Sequence, residues 1–124
     1  MVQVDISQLS GECGTWREGL RQLRDEFSQD RVRLQQAASP SLSKDQLQDV
    51  EHLHNQFHIQ LINIHDLKQA VKVHERTLSY ETSSADGLRE QTVANHENLF
   101  DQYQSLDLRL QELREEFNQF LSRT

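Results

Sequence analysis

Apolar residues in this chain recur at alternating spacings of four and three, in three runs separated by two breaks. The first run carries Val2, Ile6, Leu9, Cys13, Trp16, Leu20, Leu23, Phe27, Leu34 and Ala37, with Asp30 interrupting it. The second carries Leu47, Val50, Leu53, Phe57, Leu61, Ile64, Leu67, Val71 and Leu78. The third carries Leu88, Thr92, His96, Leu99, Tyr103, Leu106, Leu110, Leu113, Phe117 and Phe120. A repeat of this period keeps one face of an α-helix turned toward a neighbour, so three such runs specify three amphipathic helices packed side by side. Only 35% of the residues are hydrophobic and the mean hydropathy is −0.80, values that on composition alone would suit a disordered chain. The periodicity overrides that reading, because the few apolar residues are concentrated on the stripes.

The breaks set the element boundaries. Ser39-Pro40 closes helix 1, since proline pushes the residue before it out of helical geometry. Ser43 and Gln46 then have the spacing of a reciprocal capping box, which opens helix 2. The segment from Thr82 to Gly87 is the second loop, with Ser83 or Ser84 expected to cap helix 3. Two capping boxes compete for the start of helix 1, Asp5 with Gln8 and Thr15 with Glu18. Because Ile6, Leu9 and Cys13 already keep the period, the start near Asp5 is preferred, although Gly11, Gly14 and Gly19 each weaken this stretch by roughly 1 kcal/mol relative to Ala. The expected helices are therefore about 5–38, 44–81 and 85–122 within a single domain over residues 1–124. Loops this short make neighbouring helices antiparallel. The expected fold is all-α, an elongated up-down-up three-helix bundle with coiled-coil-like heptad packing. In architecture alone it resembles a spectrin repeat, including a Trp on the core stripe of helix 1.

The formal net charge is −7, which disfavours partners rich in phosphate, both nucleic acids and anionic membranes. Arg17, Arg21 and Arg24 are interleaved with Glu18, Asp25 and Glu26, the pattern of a solvated face with pairs such as Arg21–Asp25. The single cysteine excludes an intrachain disulfide, and no charged-then-apolar leader or apolar run near 18 residues is present. The expectation is a soluble chain in a reducing compartment, the cytoplasm.

Histidine is where chemistry could reside. Five of the six lie in helix 2, at His52, His54, His58, His65 and His74, and the sixth is His96. His54 and His58 are one turn apart, and Glu51 with His54 forms a Glu-x-x-His element. A di-iron bundle needs that element twice with two further Glu, and this chain has it once. Folding the two hairpins about residues 40–41 and 83–84 gives a second constellation, because it places Cys13, His74 and His96 on core stripes within one or two turns of each other. One thiol and two imidazoles can hold zinc. The ordinary reading of each is a packed core or surface residue, so no metal or other cofactor is assigned, with Cys13, His74 and His96, or Glu51, His54 and His58, as the candidate ligand sets. His58 and His65 fall off the core stripe and read as surface residues. No glycine-rich phosphate loop, Gly-x-Ser-x-Gly turn or triad pattern is present, so the chain reads as non-enzymatic with no small-molecule substrate.

Ile59 and Ile62 lie off the core stripe of helix 2, Leu108 faces outward at the same level of helix 3, and Phe100 flanks that helix's stripe. Grouped apolar residues outside a core suggest a second packing surface. The functional expectation is a helical interaction or structural module, binding a protein partner or itself as a homodimer through these four residues. A metal-binding bundle is the alternative.

Overall fold

The computed structural model describes residues 6–38, 41–84 and 86–123. Helix α1 spans Ile6–Ala37, α2 Lys44–Thr82 and α3 Glu90–Arg123. They contain 32, 39 and 34 residues, so each is roughly 48–58 Å long.

Side-chain pairs fix the topology. Phe27 meets Phe57 while Arg17 meets Glu75, so α1 and α2 run antiparallel. Phe57 meets Phe117 while His74 meets His96, so α2 and α3 do too. Cys13 faces His96 and Asp30 faces Arg114, which makes α1 and α3 parallel. This is the up-down-up bundle. The backbones of α1 and α3 approach each other less than either approaches α2. Tyr103 bridges that wider gap, with its hydroxyl over Gly19, where any Cβ would collide with it.

Buried positions follow the 3,4 spacing in every helix: Leu9, Cys13, Trp16, Leu20, Phe27, Asp30 and Leu34 on α1; Leu53, Phe57, Gln60, Ile64, Leu67, Val71, His74, Leu78 and Glu81 on α2; Thr92, His96, Leu99, Leu110, Leu113, Phe117 and Phe120 on α3. In the half of the bundle nearer the first loop, one phenyl ring from each helix meets in a layer. Phe27 and Phe117 approach Phe57 edge-on at centroid distances of 5.6 and 5.3 Å. Leu23, Leu61 and Leu106 are partly buried against this core.

Several sequence assignments change. Leu47 is exposed rather than on the stripe, and Gln60 takes the buried position beside partly buried Leu61. Both shifts have one cause: the strict 3,4 progression lands on Gln60 and Ile64 forwards from Phe57, and on Val50 and Gln46 rather than Leu47 backwards from Leu53. Asp30 does not interrupt the stripe but occupies it, buried, accepting from Arg114 Nε at 2.9 Å and Arg33 at 3.4 Å, while Arg114 also donates to Glu26 at 3.0 Å. Arg21 pairs with Glu18, and Asp25 with Arg24, in place of an Arg21–Asp25 pair. Thr15 lies within α1, its hydroxyl donating to the Gly11 carbonyl, so the helix does not start there. Val2, the Asp5 cap, the Ser39-Pro40 stop and Ala85 lie outside the described residues, as does the side chain of Ile6.

Both helix ends around α2 have a visible cause. Ser43 caps α2 as expected: its backbone N–H donates to Gln46 Oε1 at 2.8 Å, and the Gln46 N–H donates to Ser43 Oγ at 3.2 Å. Ser83 is the C-cap of α2 rather than the N-cap of α3, and the chain turns through Gly87 at φ 70°, a conformation glycine adopts without strain. Helix α3 therefore starts at Glu90, several residues later than the serine signal implied. Its first turn is held by Glu81, buried at the end of α2, which accepts from the Arg89 N–H at 2.8 Å and from the Thr92 hydroxyl.

Candidate functional site

Cys13 of α1, His74 of α2 and His96 of α3 all occupy core heptad positions near one end of the bundle and are all buried. His74 Nε2 lies 3.0 Å from His96 Nδ1, Cys13 Sγ lies 3.8 Å from the same nitrogen, and the three donor atoms fall within 4.8 Å of one another. The hairpin registers predicted this meeting. On its far side, His96 Nε2 lies 2.9 Å from Glu12 Oε2. A carboxylate only accepts, so Nε2 carries the proton and a neutral His96 presents a lone pair at Nδ1. His74 Nε2–H and the Cys13 thiol are then the donors aimed at that lone pair.

The surroundings set the charge states. Burial, followed by the proximity of Glu75 and Glu12, pushes the Cys13 thiol up to about 11. Burial and the neighbouring His96 push the His74 imidazolium to titrate below its ordinary range. The hydrogen bond from His96 holds the Glu12 carboxyl below its usual range. Glu75 forms an ion pair with Arg17 Nε at 3.0 Å, but the contact is not aligned as a hydrogen bond and its Oε1 is buried. Trp16 closes the layer, its ring 4.7 Å from His96, 5.9 Å from Phe100 and 6.3 Å from Tyr103.

Thiol, imidazole and carboxylate stand here in the order that activates a cysteine nucleophile, with a base that the linear sequence does not place beside Cys13. The environment works against that chemistry. Reactive cysteines are partly exposed and have a lowered pKa, whereas Cys13 is fully buried and its proton is held more tightly. The arrangement can act as a closed hydrogen-bonded layer or as a set of metal donors.

The second ligand set does not assemble. Glu51 and His58 are exposed and His54 is half-buried, and among the described residues no convergence of donor atoms joins them. Glu51 and His58 are two turns apart on one helix, roughly 10 Å along its axis. His58 and His65 are exposed, and His52 lies 3.9 Å from Glu116 on the surface.

The proposed contact residues are all exposed. Ile59, Ile62 and Leu108 are 45%, 47% and 59% exposed. Phe100 is exposed too, and its ring lies 5.9 Å from that of Trp16 of α1, on the α1–α3 side. The outer side of α2 carries two more exposed apolar side chains that the sequence reading missed, Val73 and Tyr80. Both repeat the heptad position of Ile59, at 14 and 21 residues' remove, and that spacing was the available signal. Positions 59, 62, 66, 69, 73, 76 and 80 thus form a second 3,4 stripe, on the side of α2 opposite its buried one, occupied by Ile, Ile, Asp, Gln, Val, Arg and Tyr.

No helix among the described residues is long and apolar enough to cross a membrane. Compared with known proteins, the chain matches no family model, no curated protein and no solved structure.

Proposed function

We propose that this protein is a non-enzymatic helical module of the cytoplasm that associates with a second copy of itself through the outer face of α2. The observation that carries the reading is the second heptad stripe, with Ile59, Ile62, Val73 and Tyr80 all exposed on a helix whose opposite side is already packed. A 3,4 stripe left in solvent is the pattern by which one helix packs on another. The charges in the stripe are self-complementary. An antiparallel two-fold pairing of two α2 helices that sets Ile62 against Tyr80 also sets Asp66 of one copy against Arg76 of the other, as an isologous contact requires. In this reading Leu108, exposed on α3, flanks the same face. A free, buried Cys13 suits a reducing compartment.

Light scattering on the wild type and on Ile59→Glu/Ile62→Glu tests the reading. A dimer in the first and a monomer in the second, both fully helical by circular dichroism, is the expected result. A wild-type monomer at concentrations up to about 1 mM, the weak limit of specific association, would refute self-association.

A further inference from the structure

Cys13, His74 and His96 are supplied one by each helix, and all three present a donor atom to the same small volume. For a tetrahedral zinc ion, bonds of about 2.3 Å to sulfur and 2.0–2.1 Å to nitrogen put neighbouring donors about 3.3–3.6 Å apart. The separations from His96 Nδ1, 3.0 Å to His74 Nε2 and 3.8 Å to Cys13 Sγ, bracket that range, and the third pair, Cys13 Sγ and His74 Nε2, lies within 4.8 Å. Small side-chain rotations therefore suffice to place an ion between them. We infer that Cys13, His74 and His96 form a binding site for one divalent transition-metal ion of the zinc class, with Glu12 as a positioning residue behind His96.

The donor set selects the class. One thiolate and two imidazoles suit zinc and its neighbours rather than magnesium or calcium, which take oxygen. The Glu12–His96 contact at 2.9 Å is the carboxylate–imidazole pairing that orients ligating histidines, and it leaves Nδ1 as the free lone pair that a metal needs. Binding releases one proton, from the Cys13 thiol, while the His74 proton transfers from Nε2 to Nδ1, so that each donor presents a lone pair. The ion then carries one thiolate and two neutral imidazoles, a net single positive charge, with the carboxylates of Glu12 and Glu75 close by. Those two charges oppose the bare thiolate and favour a dication in the same place. Three protein donors leave a fourth position for water or an added ligand. An ion so held would link all three helices at this end of the bundle.

The test is titration of the full-length, untagged chain with Co2+, followed by competition with Zn2+. The readouts are the sulfur-to-cobalt charge-transfer absorption and the emission of Trp16, whose ring lies 4.7 Å from His96. Expected are one Co2+ per chain, a charge-transfer band that Zn2+ abolishes, no band in Cys13→Ser, and a band retained in Glu12→Gln with binding about 10–100-fold weaker. The surface variant His54→Ala/His58→Ala should bind as the wild type does. Far-UV circular dichroism confirms that each variant folds. Should Cys13→Ser not fold, the wild type alone decides: in mild denaturant, Zn2+ should slow alkylation of Cys13. The absence of a band in the wild type, a band that survives in folded Cys13→Ser, Co2+ uptake lost in His54→Ala/His58→Ala, or alkylation unaffected by Zn2+ would each overturn the assignment.

Discussion

Phe57 is fully buried and touches a phenyl ring from each neighbouring helix, so it belongs to every helix pair that involves α2. Replacing it by Ala removes two edge-to-face contacts and opens a cavity that rings anchored on separate helices can only partly fill. Phe57→Ala should therefore cost about 3–5 kcal/mol of unfolding free energy by chemical denaturation, and Leu61→Ala clearly less, since Leu61 only flanks the core. Equal losses would mean that the phenyl layer is not the centre of packing. Asp30 shows how a single side chain can defy the stripe it sits in. A carboxylate at a core heptad position is tolerated because Arg114 and Arg33 both reach it, and because Arg114 stays partly exposed while doing so. Such pairs contribute little net stability but are damaging to break from one side. A residue-by-residue hydropathy reading stops at Asp30, whereas the 3,4 spacing passes through it.

At the scale of the element, the junction between α2 and α3 depends on Glu81. Its carboxylate accepts from the Thr92 hydroxyl and the Arg89 N–H, and these two bonds, the first the stronger influence, hold its carboxyl below the ordinary carboxylate range. A depressed folded-state pKa stabilises the fold above the unfolded value, near 4.5, and the contribution is lost as the pH falls through the folded value. Acid unfolding followed by circular dichroism should thus show a limb below about pH 4.5 that is shallower in Glu81→Gln, a variant less stable than wild type at neutral pH. Identical acid limbs in the two proteins would show that Glu81 caps nothing. This element also marks where sequence stops being sufficient. The Ser43–Gln46 box is readable because both partners lie within one turn, and the helix it opens is found where expected. The start of α3 is not, because its capping carboxylate comes from eight residues upstream, across a turn that only the folded backbone defines. The thiol–imidazole layer was legible from counting residues outward from the two loops, since antiparallel helices of equal rise bring Cys13, His74 and His96 to one level. Glu12 was not, because its partner depends on how α1 is rotated against α3.

Across the whole molecule the core changes character along its length. The half nearer the first loop holds a phenyl layer with aliphatic neighbours, while the end near the second loop holds His74, His96, Thr92 and Glu81, together with the thiol of Cys13. The phenyl layer depends on apolar burial, which is non-directional and survives small shifts. The polar end depends on short hydrogen bonds that fail together once the helices separate by an ångström or two. Opening should accordingly begin at that end and reach the phenyl layer only in global unfolding. Native-state hydrogen exchange gives the measurement. Amides near Phe27, Phe57 and Phe117 should exchange only through global unfolding, and those of the first turns of α3 and the last turns of α2 through smaller openings at least about 1.4 kcal/mol less costly, a tenfold difference in rate. The two helix ends belong to the same opening, because Glu81 joins them and the His74–His96 contact lies one to two turns further in. Glu81→Gln should therefore accelerate exchange at both ends and leave the phenyl layer's protection set by global stability alone. Uniform protection along all three helices would mean that the bundle opens as one unit and that its polar end is as firmly packed as its phenyl layer.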